Sequence, residues 1–248
     1  MNNFKVSKDV QTAYTLFNCS PSDLPQGLGR GYSFRLAAMV TEPALKRASV
    51  FVDGQNLFRH AKDAFGYSFP NYDIRKLAQF LCDSQGWNLA STHFYTGIPD
   101  IEDDAPKHGF WSAKLAAMGR SGIQIYSRPL KYRNQRIRLP DGSEHTFLKG
   151  EEKGIDIRIA LDIISGANAK KFDVAVVCSQ DQDLSEVAAE IRVISSLQQR
   201  WIRMCSAFPS SPTATNRRGI DRTDWIRISR TDYDMCTDPR DYRPSSRG

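Results

Sequence analysis

From residue 47 onward, apolar positions alternate between two patterns. ASVFVDG (48–54) is a short, β-branched, nearly continuous apolar run, as expected of a strand buried on both faces of a parallel sheet. Similar runs recur at STHFYTG (91–97), IQIYSRP (123–129), DVAVVCS (173–179) and WIRMCSAF (201–208). Between them, apolar residues at helical spacing predict helices over about 55–65, 73–84, 107–120, 155–167 and 183–199. Strand and helix in repeated alternation imply an α/β fold of three layers: a parallel sheet, helices on both faces and right-handed crossovers.

One segment breaks the rhythm. YRNQRIRL (132–139) and EHTFLK (144–149) flank Pro140-Asp141-Gly142, a turn signal between alternating runs, which predicts a β-hairpin inserted after the third strand. Residues 1–46 carry no sustained periodicity and contain the turn-rich SPSDLPQGLGRG (20–31), so they read as a flexible N-terminal extension. GLGRG lacks the preceding strand and following helix that a phosphate loop requires. After Phe208, PSSPTATNRRG reads as loop, DWIRIS (224–229) as an edge strand and residues 236–248 as a tail. The domain is thus expected over 47–235.

Composition narrows the function classes. No apolar run approaches the roughly 18 residues of a membrane span. The balance of 34 Lys+Arg against 28 Asp+Glu gives +6, which favours polyanionic partners. Cysteines at 19, 82, 178, 205 and 236 form no CxxC pair and no disulfide framework, so they read as reduced, in a cytoplasmic setting. The N-terminus MNNFKVSKDV has no apolar core of a secretory signal. A homo-oligomer stays open.

The candidate chemistry is acidic. Asp53 ends the first strand, where open α/β sheets place their sites, although an Asp there also caps a helix. Asp181 and Asp183 follow the strand at 173–178; both cannot be the same cap, and paired acids favour a bound cation or a shared proton. Asp156 opens the apolar helix of GIDIRIALDII, where the helix dipole alone would also suit it. Asp162, six residues on, lies about 240° around that helix and reads as a salt-bridge or supporting residue. No His/Cys cluster suggests zinc, whereas carboxylate oxygens suit Mg²⁺ or Mn²⁺.

VFVDGQN, EKGIDIRIALD and CSQDQDLSEVA resemble, in order and spacing, the signatures of the NYN domain family, particularly its bacterial LabA-like members, within the PIN-like nuclease fold. The resemblance extends from about Arg47 to Tyr242. It implies a metal-dependent ribonuclease with Mg²⁺ or Mn²⁺ held by Asp53, Asp156, Asp181 and Asp183. Asn56, Lys153 and Ser179 match the family's flanking polar positions. Asn56 and Ser179 would hydrogen-bond substrate or the cation's waters, and Lys153 would offset phosphate charge. Where the third motif often carries Gly, this chain has Gln180.

RNA is the expected partner, and the hairpin its expected grip. Arg128, Lys131, Arg133, Arg136 and Arg138 occur with no intervening acid, beside Tyr126 and Tyr132. Alternation of Arg136 and Arg138 with Ile137 and Leu139 predicts one cationic and one packed face, and Arg133, Arg136 and Arg138 are the expected phosphate-binding residues. A solvated edge strand is the bland alternative. Two further readings remain: a catalytically silent RNA-binding or regulatory module on the same fold, and a DNA-directed nuclease or phosphatase using the same acids. DGQN in place of GxGxxG after the first strand disfavours nucleotide-cofactor enzymes.

Overall fold

A computed structural model describes residues 40–243. The expected extension over 1–46 therefore lies outside the described residues as far as residue 39, as do residues 244–248 of the expected tail. In chain order the elements are β1 (Arg47–Asp53), α1 (Gly54–Phe65), α2 (Ile74–Ser84), β2 (Asn88–Ile98), α3 (Ala105–Arg120) and β3 (Gln124–Pro129). There follow β4 (Lys131–Arg138), β5 (Glu144–Glu151), α4 (Ile155–Asn168) and β6 (Val174–Cys178). A 3-10 turn (Gln182–Leu184), α5 (Ser185–Leu197), β7 (Arg203–Pro209), β8 (Asp224–Ile228) and α6 (Arg230–Met235) complete the chain.

Six strands form one sheet in the order β3-β2-β1-β6-β7-β8, every neighbouring pair parallel. The chain runs outward from β1 to β3, then returns to the other side of β1 and runs outward again to β8. The strand order thus reverses between β1 and β6. Alternation along β1 splits the interior in two. Val50 and Val52 face a core with Leu57 of α1, Leu77 and Leu81 of α2 and Leu115 of α3. Phe51 faces the other, with Ile155, Ile159 and Ile163 of α4 and Ile191 of α5. This is a PIN-like three-layer arrangement.

β4 and β5 form a separate two-stranded antiparallel hairpin. Its faces differ from expectation. Ile137 and Leu139 are 40% and 39% exposed, so the apolar face is not packed. Arg136 and Arg138 share one face of β4, as their alternation with Ile137 implies, and Arg133 lies on the other.

Two other departures have local causes. The helix expected over 183–199 starts with a 3-10 turn, because the Asp181 carboxylate accepts the Asp183 N–H at 3.0 Å. α6 was not anticipated: it is one short element, set by a capping box between Ser229 and Asp232. Past it, the segment read as a tail returns to the domain. Asp73 N–H donates to Cys236 O and Asp238 N–H to Asn71 O, both at 2.7 Å.

The amino ends of β1 and β6 are joined by charge. Asp173 accepts from the Arg47 backbone N–H at 2.9 Å, from its guanidinium at 3.0 and 3.1 Å, and from Arg200 at 3.1 Å. Burial opposes ionisation of Asp173, but the Arg47 hydrogen bonds outweigh it and lower the pKa.

Candidate functional site

The carboxyl ends of β1 and β6 flank the reversal of strand order, the place where open parallel sheets form a crevice. Asp53 stands there, 4% exposed. Its Oδ1 accepts the Asn56 N–H at 3.0 Å and so caps α1, while Oδ2 has no hydrogen-bond partner among the described residues. Cap and candidate ligand are therefore compatible roles for one carboxylate. Asp181 repeats the arrangement after β6, with one oxygen engaged by the Asp183 N–H.

Asp156 lies half-buried in the first turn of α4, which begins after Gly154 in the left-handed region at φ 75°. Asp183 is exposed on the 3-10 turn. The acids act on one another. Burial pushes the Asp53 pKa up to about 7, and the charges of Glu152, Asp156 and Asp181 add to the rise against the Asn56 hydrogen bond. The Asp156 pKa is raised by burial and then by Asp181 and Asp183, with Arg59 opposing. Asp53, Asp156 and Asp181 thus lie within electrostatic reach of one another, and Asp183 within reach of Asp156.

Glu152 is a fifth acid that sequence reasoning passed over. It follows β5, accepts the Gly97 N–H at the end of β2, and has its pKa raised by burial. Arg59 of α1, also passed over, is the cation whose charge reaches both Glu152 and Asp156. The available signal was the pair of acids in KGEEKG immediately before the Asp156 motif.

The flanking polar residues shape the crevice. Asn56 Oδ1 accepts the Gln180 N–H at 3.0 Å, tying the turn after β1 to the turn after β6. Ser179 is 1% exposed, and its Oγ accepts the Asp181 N–H at 3.1 Å. Gln180 Nε2 donates to Arg218 O at 2.6 Å and Asn216 O at 3.4 Å, while its buried Oε1 has no partner among the described residues. Gln180 thus holds the loop before β8. Lys153 is partly exposed beside Glu152. Asp162 pairs with Arg158 at 2.8 Å and accepts from Tyr95 Oη at 2.9 Å, which makes it a salt-bridge residue.

A divalent cation suits this donor set by chemistry: hard oxygens, mutually repelling, with at least one unengaged on Asp53. Among the described residues, however, no three ligating side chains are gathered closely enough to form a ready-made cage.

The NYN domain family matches residues 47–199, more than half of the chain. The chain belongs to the NYN domain family. The matched NYN domain runs from β1 through α5 and contains all five acids; β7, β8, α6 and the returning segment lie past it. Membership suggests a nuclease-like function on nucleic acid. The chain is also similar to the crystal structure of a protein of unknown function from Vibrio parahaemolyticus, with 21% identity and a TM-score of 0.46 over 76% of this chain and 95% of that one. A second similarity is to a ribokinase from Giardia lamblia, with 14% identity and a TM-score of 0.31 over 69% and 50% of the two chains. No curated protein matches significantly. Among the described residues, no helix of this NYN domain protein is long and apolar enough to cross a membrane.

Proposed function

We propose that the protein is a metal-dependent endoribonuclease whose carboxylates, centred on Asp53, bind Mg²⁺ or Mn²⁺. The observation that carries this reading is the burial of Asp53 beside Glu152, Asp156 and Asp181 at the reversal of strand order. Such an arrangement costs stability unless a cation or a proton relieves it. Asp53, Asp156, Asp181 and Asp183 would hold the cation, with Glu152 adding charge to the same crevice. A bound cation supplies activation of water and neutralisation of phosphate charge.

The chain's own groups do the rest. Asp53 and Asp181 are fixed by the caps they form, so their unengaged oxygens lose little freedom on binding. The Asn56 to Gln180 hydrogen bond holds the two acidic turns together, which makes Asn56 a positioning residue. Ser179, being buried, supports the Asp181 turn instead of reaching substrate. Lys153 and Arg59 lie where they can offset phosphate charge. The deciding experiment is cleavage of single-stranded RNA, duplex RNA and DNA with Mg²⁺, Mn²⁺ or EDTA. Metal-dependent cutting of RNA is expected, and none with any metal would remove the reading in favour of a silent RNA-binding module.

Substrate grip falls to the hairpin. Arg133 and Arg136 make only long contacts to Glu151 and Glu144, at 3.8 and 3.9 Å, and exposed pairs of this kind hold little. They are free to turn to phosphates. Replacing Arg133, Arg136 and Arg138 by Gln is expected to weaken RNA binding and to flatten its salt dependence by about 0.7 unit of slope per lost single-strand phosphate contact. Binding titrations at several salt concentrations check this; an unchanged slope returns the hairpin to a solvated arm.

A further inference from the structure

A groove of about 1290 Å³ is bordered by residues next to the crevice acids, though not by those acids themselves, and extends to the last described residues. Its inner end is formed by Gly54, Gln55, Arg59 and Gly97, the neighbours of Asp53 and Glu152. Farther out it is walled by rings: Phe58, Phe110, Trp111, Tyr132 and Tyr242. Phe110 stands edge-on to Trp111 with centroids 5.5 Å apart, and Tyr242 edge-on to Phe110 at 6.1 Å. The volume exceeds the roughly 300–1,000 Å³ of pockets that enclose one small molecule, a size suited to a length of polymer.

The outer wall is the segment that returns after α6. It is pinned through Lys114 of α3, whose side chain is 1% exposed. The ammonium donates to Tyr72 O at 3.0 Å, lies 3.7 Å from Asp238 and sits over the Tyr72 and Tyr242 rings at 5.3 and 4.9 Å. Asp238 also accepts from Arg240 at 2.9 Å and from Tyr242 Oη at 2.7 Å. A buried lysine next to a buried carboxylate fixes the course of the chain, because separating them would leave an uncompensated charge.

Charge on this wall is locally balanced. Lys107 pairs with Asp104 at 2.7 Å, Arg240 with Asp238 at 2.9 Å and Arg243 with Asp241 at 2.6 Å. What the groove offers is therefore rings, Tyr242 among them with Lys114 and the exposed Arg240 over it at 4.9 and 5.5 Å, next to the site proposed to act on phosphodiesters. Unpaired bases meet such a surface by stacking, with little dependence on sequence.

We propose that Asp238–Arg243 forms one wall of a stacking track that receives the unpaired bases of a nucleic-acid strand whose backbone reaches the carboxylates. The inference rests on the nuclease reading of those carboxylates but concerns residues past the NYN domain match. Its test reads binding, not cleavage. In EDTA, full-length wild type, Tyr242→Ala and Tyr242→Phe are titrated with a labelled single-stranded RNA, its abasic counterpart and a duplex of equal length.

Tyr242→Ala is expected to weaken single-strand binding by about 5- to 150-fold. Its salt slope should stay unchanged, Tyr242→Phe should restore the affinity, and the abasic strand and the duplex should show no difference. Equal single-strand affinity in wild type and Tyr242→Ala, or an equal loss with the abasic strand, overturns the track; a protein segment as the true occupant would give the first of these results. If Tyr242→Ala does not fold, wild-type fluorescence decides. Base-bearing RNA should quench an emission component that Trp111→Phe lacks, and no such quenching overturns the proposal. Cutting without this binding behaviour would remove the track alone, and binding without cutting would remove the nuclease reading alone.

Discussion

Asp53→Asn is expected to lower RNA cleavage about a thousandfold with the fold intact. Asn can still accept the Asn56 N–H and caps nearly as well as Asp, so α1 should start unchanged. What is lost is a charge at the point where the other acids converge electrostatically. A cation's contribution of several kcal/mol to stabilising the transition state corresponds to roughly three powers of ten in rate. Asp181→Asn should act alike, since its cap to Asp183 also survives. Rates measured on parallel preparations, with circular dichroism to confirm folding, check the result. Undiminished cleavage by Asp53→Asn would remove Asp53, and with it the proposed centre.

The same substitution is expected to raise the stability of the metal-free protein at pH 8 by up to roughly 4 kcal/mol, and by less than half of that at pH 5. Burial and the neighbouring acids raise the Asp53 pKa to about 7, against an unfolded value near 3.8. The folded state therefore holds the proton more tightly than the unfolded chain. That contribution is complete below about pH 4 and is lost as pH rises through 7. His60 and His93, whose pKa values burial lowers, act in the opposite direction over part of this range. The informative quantity is accordingly the difference between wild type and Asp53→Asn in EDTA, by thermal melts from pH 5 to 8. A gap that does not widen with pH would show that burial and the neighbouring acids do not strain the Asp53 carboxylate. Added Mg²⁺ or Mn²⁺ should narrow the gap, because binding to the folded state stabilises wild type by mass action.

Much of this was legible before any coordinates. The sheet followed from short β-branched runs, and Asp53, Asp156 and Asp181 stood out because each interrupts or ends an apolar pattern. Glu152 did not, since KGEEKG has no periodicity, and the hydrogen bond that draws it in comes from Gly97 on a different strand. The hairpin shows a different limit. Alternation assigns Ile137 to one face, but nothing local says whether that face finds anything to pack against, and it does not. The returning segment was read as a tail for a similar reason. DPRDYRP is polar and carries no pattern, and its anchor, Lys114, lies more than a hundred residues away in the sequence.

The ionic staple at Asp173 and the acids of the crevice lie at opposite ends of the same two strands, roughly 20 Å apart for seven residues of β-structure. Cohesion and chemistry are thereby assigned to separate poles of the sheet. Variants recovered from a random library should divide accordingly: lesions at Arg47, Asp173 or Arg200 would lower how much protein survives in the cell, while lesions at the far pole would lower what each surviving molecule does.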